Sequence, residues 1–329
     1  MTYSPVDRLN SIFMINSLHL LHIVLLSISI LARANTARSG NGNYITLSFP
    51  SFDPSSSNTF FTVFTAASIA SNGALQLTPD TLNNIDQLTH KAGRIFLSNP
   101  FKLWETDSTK YSGIRLASFS TRFDINIYRT SGSLPGEGFT FLISSSLVGP
   151  PLGSEDGYLG LTNSTKNGHL SDRFVAIEFD TIKQSHDPDD NHVGLDINGV
   201  NSTVVNSLTP FGIEISPVNA TNYTVWINYE GLVRRIWVYM AVQGNPKPAN
   251  DVLNTSLDLS KVIDKVAFIG FSASTGARYQ LNSVLAWELT VEILKKDRTG
   301  LSKSEIAIIG ASCSTLAVLL LLLSVCYYI

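Results

Sequence analysis

The sequence predicts an all-β protein, a β-sandwich that is followed by one C-terminal transmembrane helix. Between residues 44 and 293, successive short segments alternate apolar and polar side chains or are continuously apolar, which is typical of β-strands. Stretches rich in turn-forming residues separate them, among them DPSSSN, SGSLPGEG and NPKPAN. Only DLSKVIDKVA, at 258–267, has a helical pattern. Short strands without helices between them favour an antiparallel sandwich.

The N-terminal segment is typical of a secretory signal peptide. Residues 12–31 are mostly apolar, and Ala32-Arg33-Ala34 provides the small residues of a cleavage site. We therefore predict a signal peptide over residues 1–34. Because Asp7 offsets the charge of Arg8, a retained membrane anchor is the alternative. Residues 35–43 are predicted to be a linker to the domain at 44–293.

The last 24 residues, 306–329, contain no charged side chain. As a helix this segment would be about 36 Å long, enough to cross the hydrocarbon core of a bilayer. It predicts a transmembrane helix with no cytosolic domain, preceded by a juxtamembrane linker at 294–305. A glycolipid-anchor signal is the alternative, because Ser302 and Ser304 are small residues ahead of an apolar tail. Either anchor places the domain outside the plasma membrane.

Composition limits the class of protein further. The chain has 329 residues, of which 44% are hydrophobic, and a net charge of −3, too small to indicate a nucleic-acid partner. Both cysteines, Cys313 and Cys326, lie in the C-terminal apolar segment, so the predicted extracellular part contains no disulfide. Five acceptor sequons predict a glycoprotein, at Asn163, Asn201, Asn219, Asn222 and Asn254.

The segment RFVAIEFDTIKQSHDPDDNHVGLDING, at 173–199, carries the chemistry most easily recognised in this chain. Its first half alternates so that one face of a strand joins the core and the other carries Glu178 and Asp180. Asp187 and His192 follow in and after the next loop. Carboxylate oxygens and an imidazole nitrogen are typical ligands of a divalent metal. A solvated acidic face beside a turn is the alternative.

This segment also resembles the metal-binding loop of the legume lectins, where V-A-V-E-F-D-T leads to N-H-V-G-I-D-x-N. Further blocks resemble the family in the same order: SFSTRF (118–123), LPGEGFTFLI (134–143), GYLGLTN (157–163), YTVWINYEG (223–231), WVYMA (237–241), DLSKVI (258–263) and FIGFSASTGARY (268–279). Residues 44–293 are therefore similar to a legume (L-type) lectin domain, as in the ectodomains of plant lectin receptor kinases. The resemblance implies a concanavalin-like jelly roll with a flat back sheet and a curved front sheet.

The resemblance also implies the residues of a site. A transition metal such as Mn²⁺, and Ca²⁺ beside it, are expected at Glu178, Asp180, Ile182, Asp187 and His192, with Ile182 using its carbonyl. Four loops are expected to bind sugar through Glu137, Gly157, Gln184, Ala277 and Arg278. In the family the first of these is an Asp that follows an unusual peptide bond.

Three departures from the family pattern predict weak binding of simple hexoses. Glu137 is one methylene longer than Asp, Ile182 replaces a stacking aromatic, and Gln184 replaces an Asn that contacts both calcium and sugar. Each change removes or displaces one contact to the sugar. The loop between Asp180 and His192 is also shorter than usual in the family.

The function predicted is a membrane-anchored extracellular lectin-like domain that binds a glycan or glycoprotein without catalysis. Because no kinase motif is found, the protein is expected to act as a co-receptor or decoy, with a homodimer or a receptor as its partner. A binder of an apolar ligand is one alternative. A glycoside hydrolase on the same fold is another, although the third acid it requires would stand where Ile182 and Lys183 are found.

For the domain itself we predict one hydrophobic core and a single cooperative unit. The side chains expected to be largely buried are Phe141, Val175, Ile177, Phe179, Trp226, Trp237 and Phe271.

Overall fold

The computed structural model describes residues 38–39, 42–80, 85–107, 113–129, 134–218 and 221–294. The chain divides into two units, residues 1–293 and 294–329. Within the first unit the described residues form an antiparallel β-sandwich, which confirms the predicted all-β fold.

The strands of the described residues are β1 (Arg38–Ser39), β2 (Gly42–Phe49), β3 (Phe61–Thr65), β4 (Ser68–Ile69), β5 (Leu75–Gln76), β6 (Lys91–Leu97), β7 (Phe101–Lys102), β8 (Trp104–Thr106), β9 (Ile114–Leu116), β10 (Phe119–Tyr128), β11 (Gly138–Ser144), β12 (Phe174–Asp180), β13 (His192–Ile197), β14 (Val204–Ser207), β15 (Asn222–Glu230), β16 (Arg235–Val242), β17 (Leu253–Ser256), β18 (Val266–Thr275) and β19 (Leu281–Glu292). Two one-turn α-helices are present, α1 (Ser57–Phe60) and α2 (Leu259–Val262). Short 3-10 turns lie at Pro54–Ser56, Ile85–Gln87, Asp156–Tyr158 and Thr209–Phe211.

These strands form two large sheets. The back sheet has the order β1-β2-β19-β10-β15-β16-β17, with β5 also pairing with β19 and β4 pairing with β5. The front sheet has the order β14-β13-β12-β11-β18-β6-β3, with β7 also pairing with β18. Strands β8 and β9 form a separate two-stranded sheet. Part of the predicted linker at 35–43 belongs to the back sheet, because β1 and the start of β2 lie within it.

The main core fills the space between the two sheets and is dominated by aromatic rings. Phe271 of the front sheet lies at its centre, with ring centroids 5.1 Å from Phe123 and 4.8 Å from Trp287 of the back sheet, both edge to face. Phe141 stacks on Phe123 at 5.9 Å. Edge-to-face and offset arrangements are favourable for aromatic pairs, and they supplement the gain from apolar burial.

A second, smaller hydrophobic cluster packs against other strand positions of the front sheet, so the expectation of a single core was wrong. Its members are Phe96, Leu142, Leu159, Leu161, Phe174, Ala176 and Val200. Successive strand side chains point to opposite faces, and Ala176 belongs to this cluster while Val175 and Ile177 belong to the main core. Loops that cover the front sheet therefore bury both of its faces, and every residue of β11 and β12 is buried.

Five of the seven side chains predicted to be buried are buried, but the prediction was wrong for Trp226 and Trp237. Both are only partly buried, because they alternate with Val225, Ile227 and Val238, which point into the core. Size and hydrophobicity suggested burial for the two tryptophans, whereas the strand period places them on the outer face of the back sheet.

The helix predicted within 258–267 is present only as α2, Leu259–Val262, and Val266 and Ala267 belong to β18. The N-cap of α2 is Asp258, whose side chain accepts a hydrogen bond from the Ser260 N–H. Among the described residues no helix is long and apolar enough to cross a membrane. The signal peptide predicted at 1–34 and the transmembrane helix predicted at 306–329 lie outside the described residues and stay predictions.

Replacing Phe271 by Ala should lower the free energy of unfolding by about 3–5 kcal/mol, because it empties the centre of the main core. Trp226→Ala is the matched control, since that ring lies on the outer face and should cost far less. Urea unfolding followed by far-UV circular dichroism measures both. Equal losses for the two variants would contradict the assigned core.

Candidate functional site

Strand pairing between β12 and β13 brings three predicted metal ligands together. Asp180 lies directly opposite His192, and Glu178 lies opposite Gly194. Directly opposed side chains in an antiparallel pair are close neighbours. Glu178 and Asp180 are only 2% and 3% exposed and His192 is fully buried. One ligand atom from each of the three residues lies within 4.8 Å of the other two.

Asp187 reaches the same point from the loop that connects the two strands. Its Oδ1 lies 3.8 Å from Nε2 of His192, and its Oδ2 accepts a hydrogen bond of 2.7 Å from the Gln184 N–H. The loop also ties itself to the strand, because the Ile182 N–H donates to Oδ1 of Asp180 at 2.6 Å. Three of the four side chains predicted as metal ligands thus form one group, and Asp187 lies beside it within contact distance of His192.

The imidazole of His192 is oriented as a metal ligand would be. Its Nδ1 lies 3.0 Å from the backbone oxygen of Asp189, which accepts the Nδ1–H hydrogen bond. The other ring nitrogen, Nε2, is buried without a hydrogen-bond partner and faces Glu178 at 3.7 Å and Asp187 at 3.8 Å. Burial lowers the pKa of His192, but the charges of Glu178 and Asp187 raise it on balance, so this position favours a proton or a metal cation at Nε2. The residues present therefore fit a divalent metal.

Two further residues, Asp196 and Ser202, lie next to Glu178, and the sequence analysis did not identify them as part of the site. The Ser202 hydroxyl lies within hydrogen-bond distance of both Glu178 and Asp196, at 2.8 Å from Oδ1 of the latter. Gly194 makes the contact feasible, because a Cβ there would meet Oγ of Ser202 at 1.9 Å. Asp196 could have been found from the sequence, because it lies four residues after His192 and therefore on the same face of strand β13. No local sequence pattern indicates that Ser202 contacts this site.

Burial of so many acids raises carboxyl pKa values at this site. The pKa of Asp180 lies well above its ordinary value because of burial and then the nearby charge of Glu178. Asp196, which is completely buried, has its pKa raised strongly by burial and by Glu178 as well. Both shifts show that the site disfavours its own negative charges, which a bound cation would neutralise.

Three of the predicted sugar-binding residues, Glu137, Gly157 and Gln184, lie together. Their polar groups are directed at one another. Nε2 of Gln184 donates to Oε2 of Glu137 at 3.2 Å. The same amide lies over Gly157, where a Cβ would come within 2.7 Å of Nε2. Oε1 of Gln184 is buried without a hydrogen-bond partner. The peptide bond before Glu137 is trans, since no cis bond occurs among the described residues, so the unusual peptide bond implied by the family is not found.

Glu137 is not the exposed turn acid that its sequence context allowed. It is 6% exposed, and its backbone oxygen accepts from the Thr181 N–H at 3.4 Å. Burial and then the charge of Asp156 raise its pKa to about 7, while Arg278 opposes the shift. Asp156 itself lies 3.1 Å from Nδ1 of His90, and neither residue was identified from the sequence. Arg278 and Ala277 are exposed, and their predicted place in the fourth sugar-binding loop stays a prediction.

Four of the five sequons lie in the described part of the chain, and Asn219 lies outside it. Asn201 is exposed, and Asn163, Asn222 and Asn254 are partly buried. The glycoside hydrolase alternative gains no support, because Ile182 and Lys183 occupy the place of its third acid.

A two-sheet sandwich with a carboxylate and histidine cluster beside convergent loops defines a lectin-like class of protein. The comparison with family models agrees, since the model for the legume lectin domain matches residues 45–305. The chain belongs to the legume lectin domain family.

Among curated relatives, the chain is similar to a probable inactive L-type lectin-domain containing receptor kinase III.1 of Arabidopsis thaliana. The two are 33% identical over 242 residues, which is 71% of this chain and 36% of that protein. An L-type lectin-domain containing receptor kinase, SIT1, of Oryza sativa subsp. japonica is 29% identical over 70% of this chain and 36% of its own length. The chain thus spans about a third of the length of these curated relatives.

Solved structures of plant lectins share the fold. Winged bean acidic lectin, solved with methyl-α-D-galactose, is 28% identical with a TM-score of 0.63, over 77% of this chain and 100% of that chain. Basic winged bean lectin, solved with the Tn antigen, is 26% identical with a TM-score of 0.62, over 75% of this chain and 98% of that chain.

Replacing Glu137 by Gln should make stability less sensitive to pH between about 5 and 8. The folded protein keeps the Glu137 proton up to a pKa of about 7, whereas the unfolded chain releases it near the ordinary value of 4.5. Folded protein therefore binds more protons in this window, and wild-type stability falls as pH rises, by at most about 3 kcal/mol from this group. The Gln side chain stays neutral and removes that fall.

Urea unfolding in EDTA at several pH values measures the effect, as the difference between variant and wild type. Glu230→Gln, at an exposed strand end, is the control and should follow the wild type. A Glu137→Gln profile parallel to the wild-type profile would show that Glu137 is ionised in the folded state.

Proposed function

We propose that this chain is a membrane-anchored, extracellular lectin-like domain that binds carbohydrate through an altered site. Family membership, similarity to receptor kinases and the sugar complexes of the winged bean lectins support carbohydrate as the ligand. The predicted signal peptide, sequons and C-terminal apolar segment support a place at the plasma membrane. Within this proposal the domain acts as a co-receptor or decoy for a signalling partner, or as a homodimer.

The metal cluster supports the proposal by fixing the binding loop. Glu178, Asp180, Asp187 and His192 would hold a transition metal such as Mn²⁺, and calcium would share Asp180 and Asp187. The Ile182 carbonyl and the unpartnered Oε1 of Gln184 are further oxygen donors for calcium, a hard cation. When bound, the metals would neutralise buried carboxylates and hold residues 181–191 in one conformation.

The contact of Gln184 with Glu137 and Gly157 is the main observation that supports the proposal of an altered sugar site. A hexose in this position has to displace the Gln184 amide before its hydroxyls reach the Glu137 carboxylate or the Gly157 backbone. A sugar gains little from exchanging one hydrogen bond for another. Ile182 offers no aromatic face for stacking, which removes a further contribution. The preferred ligand is then a larger glycan that also contacts the loops around this position.

Divalent metal should stabilise the domain strongly. At a metal concentration 100-fold above the dissociation constant, the free energy of unfolding should rise by about 2.7 kcal/mol. Differential scanning calorimetry with EDTA, Mn²⁺, Ca²⁺ or both ions measures the gain. His192→Ala should abolish the Mn²⁺ effect, whereas the exposed His169→Ala should retain it. Equal responses of the two variants would place the metal elsewhere.

Simple hexoses should bind weakly, with dissociation constants above about 0.1 mM in the presence of both metals. Changing Glu137 to Asp, Ile182 to Tyr and Gln184 to Asn together should raise affinity roughly 10–100-fold, because about 1–3 kcal/mol of contacts is restored. Isothermal titration calorimetry with mannose, glucose and galactose tests this. Adding Asp180→Asn to the triple variant should remove the gain. A tight wild-type complex with any of these sugars would contradict the altered site.

A glycan array with and without EDTA tests the function itself. We expect binding to branched or extended glycans that EDTA abolishes. Binding to no glycan while both metals are bound would refute carbohydrate as the ligand, and glycan binding that survives EDTA would refute the metal-fixed loop.

A further inference from the structure

A cavity of about 180 Å³ lies against the front sheet, and its lining includes none of the residues assigned to the metal or the sugar. Its walls are apolar residues of β11, β12 and the covering loops, and its polar groups are those of Arg94, Ser144, Ser146, Lys166, Ser171 and Asp172. A small cavity in which an apolar wall faces several convergent polar groups has the form of a ligand site.

Arg94 is the unusual member of this cavity, because its guanidinium is buried without a carboxylate partner. The residue is 4% exposed. Its Nη1 donates to the Val148 carbonyl at 3.1 Å, and its Nη2 donates to the carbonyls of Gly160 and Leu161. Among the described residues nothing accepts the Nε–H, and no carboxylate oxygen lies within 4.0 Å of the guanidinium. Burial lowers the pKa of Arg94 to about 10, and the charge of Asp172 opposes that shift without a direct ion pair.

Asp172 is also the counter-charge of Lys166, so two cations share one carboxylate. Its Oδ1 lies 3.5 Å from Nζ of Lys166, and its Oδ2 accepts a hydrogen bond of 3.3 Å from the Thr162 hydroxyl. Arg94 and Lys166 together carry a charge of +2 against −1 from Asp172, so the lining has a net charge of +1. Lys166 is 52% exposed at its side chain and stands nearer to solvent than Arg94.

We propose that this cavity binds a small organic carboxylate with an apolar body. The carboxylate would lie between Lys166 and Arg94 and balance the net charge of +1 that Asp172 leaves, and the exposed hydroxyls of Ser146 and Ser171 are further donors. The apolar body would pack on Leu142, Leu161 and Phe174. Leu142, Leu161 and Phe174 also belong to the second hydrophobic cluster, so an occupant would extend that cluster.

Benzoate and benzamide are matched probes, since they have the same shape and differ in charge. The full chain in detergent is titrated with each probe in an isothermal titration calorimeter. Benzoate should bind with a dissociation constant of about 1 mM or below, and benzamide should bind at least about 10-fold more weakly. EDTA should change neither value, because no proposed metal ligand lines the cavity. Equal affinity for the two probes, no benzoate binding up to about 20 mM, or loss of binding in EDTA would overturn the proposal.

Two variants that leave Arg94 in place locate the site. Lys166→Gln should weaken benzoate binding about 3–10-fold, while Lys261→Gln, an exposed lysine outside the cavity, should leave it unchanged. Ser171→Phe should abolish binding, because the larger side chain fills the cavity from its exposed side. A circular dichroism spectrum of this variant that matches the wild-type spectrum shows that the variant is folded. Unchanged binding in either Lys166→Gln or Ser171→Phe would refute this location.

Discussion

Several carboxylates are buried within one corner of the front sheet, and the local structure is organised around their charges. Glu178, Asp180, Asp187 and Asp196 lie close together, with the imidazole of His192 among them. Removing an ion from water is costly unless another charge or hydrogen bonds compensate it. The donors that surround these acids are the Ser202 hydroxyl and the backbone N–H groups of the loop at 181–191. A divalent cation at this position would complete the compensation.

The loop that covers the outer face of the front sheet connects the second hydrophobic cluster with the proposed sugar site. Loop residues 146–172 bury the second hydrophobic cluster, and the same stretch presents Gly157 to Gln184. Arg94 donates to three carbonyls of this stretch and holds it to β6. The position of the Gly157 backbone at the sugar site therefore depends on packing and hydrogen bonds several residues away. Substitutions in the second cluster are expected to act on the sugar site through this loop.

Strands that alternate apolar and polar residues, or that are apolar runs bounded by turn residues, were predictable from the sequence. Segments of these two kinds at 119–128, 138–144 and 192–197 coincide with β10, β11 and β13. Strand β6, Lys91–Leu97, has six consecutive buried residues and no alternation, and it was not identified. Its burial comes from a loop elsewhere in the chain, which no local pattern records.

The metal cluster was predictable because two ligands share a strand face and the others follow within a short loop. The contact between Gln184 and Glu137 joins positions 47 residues apart, and its geometry depends on how the loop folds. The same holds for Ser202, which approaches Glu178 across the sheet. The family resemblance indicated which residues belong to the sugar site, but the side-chain lengths of Glu137 and Gln184 determine that they bond to each other.

The position of β19 between β2 and β10 bears on synthesis of the protein at the ribosome. Residues 44–49 pair with residues 287–292, so one of the first strands to leave the ribosome obtains its neighbour only when the last strand has left it. Until then β2 and β10 both present unpaired edges, which are prone to association with other chains. The back sheet therefore closes only after residues 281–292 have been synthesised, and a nascent chain that stops before residue 281 lacks the strand that joins the two parts of this sheet.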